Sequence, residues 1–282
     1  MIQIKLDIGK LLLNMGKYMH FNSSCSFCAV SYMLMPFGVE TDDVSIALNI
    51  GLPYIFAYED GHFIAGAMLQ NSKWFNLFLN PIGLQLLETA IDKSQLIEHL
   101  DKHQNVMLGL KTDLGKHAVV FIQKRNDKYQ FFNPHHKGSG EEDAIFLTDS
   151  ELLGRINDII IVGSIIKCEA KTQNVKIIFK QSLMNLDFYK DTIINFVDNN
   201  HEKDAYANSL DTLFRPLLLD VLSMMNIIHK EKLTDDMKMA QMQLLSFIRG
   251  KTTSFEKDLF KDRISNVIER YKELINQQIA SL

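Results

Sequence analysis

Hydrophobic positions change their spacing along this chain near residue 170. Up to about residue 168, helix-like and strand-like patterns alternate, and four of the five prolines fall there. From about 175 to 282, apolar residues recur at helical spacing almost without interruption. Asn22, Ser23 and Ser24 precede an apolar run, Cys25 to Met35, that stops at Pro36 and Gly38. These are helix start and stop signals, so the pattern predicts a buried helix with Cys25 in its first turn. Thr41 to Ile50 predicts a second short helix. GLPYIFAYEDGHFIAGAML (51–69), rich in glycine and aromatic residues, predicts strands and loops. Gln85 to His103 carries helical periodicity at Leu86, Leu87, Ala90, Ile91, Leu96, Ile97 and Leu100.

Three strands are then expected at Val106–Leu110, His117–Gln123 and Tyr129–Asn133, the last two joined by a KRND hairpin turn. Asp158–Lys167, dense in β-branched residues, predicts a buried strand. HHKGSGEEDA reads as a polar loop. In the second half Gln181–Asn199, Ala205–Ile228, Thr234–Arg249 and Ser254–Ala280 read as amphipathic helices of a small bundle. No internal repeat or low-complexity tract is evident. The expectation is an α+β protein: a helix packed on an antiparallel sheet over 1–170, then an all-α helical region over 171–282.

Composition narrows the function classes. Of 282 residues, 46% are hydrophobic and 23% charged, which is ordinary for a globular protein, and the net charge of −4 supplies no basic field for nucleic acid. No apolar run approaches the ~18 residues of a membrane span. Asp7, Gly9 and Lys10 break the N-terminal apolar stretch, so a secretory signal is not expected and the protein is read as cytoplasmic. Three cysteines, Cys25, Cys28 and Cys168, argue against a disulfide framework. Cys25-Ser-Phe-Cys28 lacks a second ligand pair, and the adjacent His135 and His136 chelate poorly together, so no zinc site is expected. No Walker-type or G-x-G-x-x-G motif is present, so no cofactor is expected.

The chemistry that remains is nucleophilic. A thiol attacks a carbonyl as thiolate, and a helix N-terminus and a nearby imidazole both favour the anion. Cys25 has the first by position, and His117 can supply the second if its strand lies beside the helix. Asn133, across the hairpin from His117, can orient the imidazole, and Pro134 ends that strand. Cys28, one turn further in, is the rival nucleophile. His20 and Asn22, just before Cys25, are candidates either to donate to an oxyanion or to shape the helix entry. His62, His99, His103, His201, His229 and Cys168 are read as structural. The aromatic stretches Tyr54–Phe63 and Trp74–Phe78 are read as core, with a tunnel wall as the alternative.

CSFCAVSYMLMPFG (Cys25–Gly38) and KHAVVFIQKRNDKYQFFNP (Lys116–Pro134) together resemble papain-like cysteine proteases. The resemblance is closest to the leader peptidases of bacteriocin exporters and to the butirosin-type acyltransferases, and it covers about residues 18–168. In both groups the nucleophilic cysteine begins a helix that ends at a glycine thirteen positions on, as Cys25 and Gly38 do. Their histidine opens a valine-rich strand, as His117 does, and their acidic or amide partner precedes proline, as Asn133 does. The resemblance thus selects Cys25, and with ALNIGLPYIFAY (Ala47–Tyr58) and the helical C-terminal region it favours the acyltransferase branch. Leader peptidases carry glutamine six positions before the cysteine, whereas here that residue is Met19, which argues against peptide hydrolysis.

The implied activity is transfer of an acyl chain from an acyl- or peptidyl-carrier protein thioester, through Cys25, to a small amine. It is similar to the protease-like amide synthetase of closthioamide-type thioamide biosynthesis, whose acceptor is a diamine. A cysteine protease or amidase, and a non-catalytic ligand-binding module, remain as alternatives.

Overall fold

The structure, a computed structural model, describes residues 18–113 and 115–282. The N-terminal segment on which the secretory-signal reading rests lies almost wholly outside the described residues. In chain order the elements are β1 (Tyr18–Met19), α1 (Cys25–Leu34), α2 (Asp43–Asn49), β2 (Phe56–Glu59), β3 (His62–Ala65), α3 (Ser72–Leu79), β4 (Leu84–Asp92) and α4 (Leu96–Lys102). They continue with β5 (Val106–Thr112), β6 (Gly115–Arg125), β7 (Lys128–Phe132), β8 (His135–His136), β9 (Ala144–Leu147), α5 (Asp149–Gly154) and β10 (Ile159–Lys167). The C-terminal helices are α6 (Val175–Asn199), α7 (Lys203–Asn208), α8 (Val221–Ile227), α9 (Glu231–Ile248) and α10 (Lys257–Ser281). An antiparallel sheet followed by helices makes the chain α+β. Two compact units result, residues up to 50 with 70–173, and residues 51–69 with 174–282.

The first unit is built on a six-stranded sheet in the order β4-β10-β5-β6-β7-β9, every pair antiparallel. Alternation sends Val106, Leu108, Val119, Phe121, Phe131 and Val162 to one face, where Leu96 and Leu100 of α4 and Leu152 of α5 close a core. The opposite face of β5 and β6 receives α1, whose Tyr32 ring stacks on Phe132 at 4.2 Å between centroids. The β6–β7 hairpin turns on Asn126 and Asp127, both at positive φ (49° and 58°), the pattern of a tight turn matched to strand twist.

Two expectations for this unit are corrected. Residues 85–92 form strand rather than helix: β4 pairs with β10 along its whole length, from Leu84↔Lys167 to Asp92↔Ile159. Asn76 of α3 clamps it further, its side chain bonding both the N–H (2.7 Å) and the C=O (3.1 Å) of Leu86. Helix begins only at Leu96, after a capping box made by Asp92 and Gln95. The second correction concerns HHKGSGEEDA. His135–His136 pairs in parallel with Tyr18–Met19, and the loop runs into the edge strand β9 and a helix opened by a Thr148–Glu151 capping box.

In the second unit the β2–β3 hairpin packs with α6, which meets the backbone of Phe56 through Ser182 (accepting the N–H at 3.0 Å) and Asn185 (donating to the C=O at 2.8 Å). Tyr271 of α10 donates to the carbonyl of Pro53 at 2.8 Å, and Tyr189 of α6 donates to that of Leu213. A Cβ at Gly66 would overlap the carbonyl oxygen of Asp220, and the residue lies at φ +55°. The single helix expected over Ala205–Ile228 is instead α7, two π-helical stretches at Leu210–Phe214 and Pro216–Asp220, and α8. Pro216 has no N–H to give to the α ladder and its ring crowds the preceding turn, and a widened π register accommodates it. Among the described residues no helix is long and apolar enough to cross a membrane.

Candidate active site

Helix α1 begins without the usual side-chain cap. Ser24 occupies the N-cap position at φ −84°, ψ 13°, and makes no capping hydrogen bond. Its hydroxyl instead donates at 2.7 Å to Asp43, a fully buried carboxylate at the start of α2. Asp43 also accepts the backbone N–H groups of His20 (2.8 Å) and Val44 (3.0 Å), and it meets His20 Nδ1 at 2.6 Å. With Ser24 drawn away and no acidic residue in the first turn, the first N–H groups of α1 are left for another anion.

The Cys25 sulfur, the first side chain of the helix, lies beside them. Cys25 is 9% exposed, and burial alone pushes its thiol up. A hydrogen bond from His117, the Ala118 N–H, the charge on His117 and the Ser26 N–H together outweigh burial and hold the thiol below its ordinary value of 9.0. His117 responds in the opposite sense. Burial lowers it, but the hydrogen bond and charge of Cys25, then the Asn133 hydrogen bond and the charge of Glu141, raise it above its ordinary value of 6.5. Both shifts favour a thiolate–imidazolium pair.

The hairpin supplies the orienting group. His117 Nε2 lies 2.9 Å from Asn133 Oδ1 although the two are 16 positions apart in sequence. Asn133 is 5% exposed, and its Nδ2 donates to the carbonyl of Glu142 at 2.9 Å. Its Oδ1 is therefore the acceptor, Nε2 of His117 carries the hydrogen, and Nδ1 is the ring nitrogen left for another partner. The backbone N–H of Asn133 is also tied, to the carbonyl of Asp143 at 2.9 Å.

The other candidates separate clearly. Cys28 is fully buried one turn further in, and burial, with the charges of Asp43, Cys25 and Asp42, pushes its thiol strongly up. His20 is held by Asp43, and Asn22 is exposed in the turn before the helix. Neither is among the residues that line the cleft beside Cys25, and His20 sits at the helix entry bound to Asp43. Cys168 follows β10 with its N–H on the carbonyl of Gly83. Of the aromatic stretches, Phe56 and Phe63 pack around Tyr189 while Phe75 packs on Phe27, and none of Phe56, Phe63 or Phe75 lines the cleft. Among the described residues no group of three or more His, Cys, Asp or Glu is placed to share a metal ion.

Cys25 opens into a cleft of about 170 Å³ within the first unit. Its apolar floor comes from Met107, Gly109, Ile161 and Gly163 on neighbouring strands of the sheet. Ser26, Gln70, Glu88 and Lys116 add polar groups to its lining. Sequence reasoning missed Gln70 and Glu88. Glu88 was hidden by the helical reading of its segment, whereas in the strand it stands opposite Gly163 and accepts the Ser72 N–H at 2.8 Å. Gln70 carries no local signal. Compared with protein-family models and with curated proteins, the chain matches none.

Proposed function

We propose that this protein is a cysteine-dependent acyltransferase of papain-like fold that makes amide bonds from thioesters borne on an acyl- or peptidyl-carrier protein. The observation that carries the reading is a buried thiol, at a helix N-terminus, held below its ordinary range by an imidazole that Asn133 orients. In the first half-reaction Sγ of Cys25 bonds to the thioester carbonyl carbon and the C=O electrons move onto oxygen. Collapse re-forms the C=O and breaks the carbon–sulfur bond to the carrier, whose thiolate takes the proton from His117. In the second, a small amine attacks the acyl-Cys25 carbonyl. His117, now neutral, takes the amine proton, and the bond to Cys25 breaks, restoring thiolate and imidazolium.

A thioester is already activated, so the cycle balances without a nucleotide. The apolar floor of Met107 and Ile161 suits an acyl chain better than a peptide backbone, which needs hydrogen-bond partners. Met19 at the place where the leader peptidases carry glutamine weighs the same way. The test is intact-protein mass spectrometry after mixing with an acyl-carrier thioester. The reading expects one acyl group on Cys25, none on Cys25→Ala, and release as an amide when a primary amine is added. Absence of any adduct with a competent donor would refute it, and release only as free acid despite excess amine would assign the site to a hydrolase.

A further inference from the structure

We propose that Gln70 is the side-chain donor of this site's oxyanion hole, reaching the nucleophile from downstream in the chain; the proposal rests on the acyl-transfer reading above. Attack by Sγ places a negative charge on the former carbonyl oxygen, which must be met by fixed donors beside the N-terminus of α1. The Ser26 and Ala118 N–H groups already act on the sulfur, where they help lower the thiol. Residue 19 offers only a thioether, His20 is bound to Asp43, and Asn22 lies outside the cleft.

Gln70 follows the segment 51–69 and returns the chain to the first unit beside Cys25. Its Oε1 accepts the hydroxyl of Ser26, the residue immediately after the nucleophile, at 3.0 Å. Ser26 is itself buried. The bond anchors the oxygen end of the amide on Ser26 and leaves its NH2 end for another partner. Among the described residues that NH2 has no hydrogen-bond partner, and Gln70 lines the same cleft as Cys25. A neutral, pre-oriented amide donor on the cleft wall, with its acceptor end anchored next to the attacking sulfur, is the arrangement that stabilises a developing oxyanion without reorganising. Lys116 also borders the cleft, but it is exposed, and among the described residues no hydrogen bond or ion pair holds its ammonium.

Two reactions of Cys25 separate this role from a structural one. Acylation by an acyl-N-acetylcysteamine thioester passes through an oxyanion, whereas alkylation by iodoacetamide displaces iodide and forms none. Gln70→Met keeps the volume and removes the donor. It should slow single-turnover acylation about 100- to 1000-fold while leaving the alkylation rate within about twofold. Ser26→Ala, which frees the amide to rotate, should slow acylation less than Gln70→Met and again spare alkylation. Equal loss of both reactions in Gln70→Met, or unchanged acylation, overturns the proposal. So does a large acylation defect in Lys116→Ala with none in Gln70→Met. If wild-type Cys25 alkylates quickly but accepts no acyl group from thioester or carrier donors, the acyl-transfer reading itself fails and takes this role with it.

Discussion

Replacing His117 with alanine removes the side chain that faces Cys25 with both a hydrogen bond and a positive charge. What remains is burial, which pushes the thiol up, opposed only by the Ala118 and Ser26 N–H groups. A hydrogen bond to a charged group contributes about 1.5–3 kcal/mol, and about 1.4 kcal/mol corresponds to tenfold, so the thiolate population below the midpoint should fall about 10- to 150-fold. A thiolate of higher basicity is also the better nucleophile, and that offsets about half of the loss on a logarithmic scale. Iodoacetamide should therefore label Cys25 in His117→Ala about 3- to 15-fold more slowly near pH 7, with the deficit vanishing at alkaline pH. The assay is a pH series of labelling rates read by peptide mapping. Cys28, fully buried, stays unlabelled in folded protein and reports on integrity. Asn133→Ala removes a hydrogen bond to the imidazole rather than to the sulfur, so its effect should be smaller, about two- to tenfold. Equal labelling of His117→Ala and wild type across the series, with the same midpoint, would refute the ion-pair account.

Acylation of Cys25 should follow a bell in pH. It is lost below a midpoint that lies under the ordinary thiol value, as Cys25 takes up a proton, and lost again above a midpoint that lies over the ordinary imidazole value, as His117 gives one up. A thioester-titration series measures both limbs, and a rate that rises monotonically past the ordinary thiol value would contradict it. Asp43→Ala leaves the buried Ser24 hydroxyl and the Val44 N–H without their acceptor and should cost about 2–4 kcal/mol in urea unfolding. Gly109→Val places a side chain over the cleft floor where the nearest atom to its Cβ, Lys116 Cδ, is 3.9 Å away. Folding should be preserved while bulky acyl donors lose far more rate than an acetyl donor, measured as a ratio of acylation rates. Asp220, mainly through burial and despite Arg215, is pushed up to about 7, so the folded second unit holds its proton where the unfolded chain does not. Stability from this group is full below the unfolded value and is lost as pH rises through about 7, a change of about 2–4 kcal/mol that Asp220→Asn should flatten in thermal melts.

Where the signals are local, the elements are where the sequence puts them. Pro36 and Gly38 stop α1, and Gly38 sits at φ +74° as a helix-ending glycine does. The Asn126–Asp127 turn sets the hairpin that brings His117 to Asn133. β4 failed for a physical reason. Leu86, Leu87, Ala90 and Ile91 satisfy a helical period, and only the nine-residue pairing with β10, distant in sequence, chooses strand. That misreading hid Glu88, and the tertiary placement of Gln70 and the burial of Asp43 have no trace in their neighbours. Ser24 shows the same limit at one residue. Serine before a helix signals a cap, yet its hydroxyl goes to a carboxylate that only the folded chain brings there.

That diverted hydroxyl bears on why the Cys25 thiol is lowered. A serine that capped α1 would occupy one of the first-turn N–H groups, and a neutral hydroxyl would then compete with the sulfur for it. Asp43 removes the competitor, and the Ser26 N–H lowers the thiol instead. The same carboxylate acts in the opposite direction on Cys28, whose thiol its charge helps push up. Two cysteines a single turn apart are thereby separated in thiol acidity: His117 and two N–H groups lower Cys25, while burial first and then the Asp43 charge raise Cys28. The separation requires α1 and α2 to dock on each other and α1 on β6, since His117 and the Ala118 N–H come from that strand. The isolated helix, with its cap restored and no imidazole, would carry two ordinary thiols. The lowered thiol of Cys25 is thus a property of the assembled first unit rather than of the C-x-x-C segment.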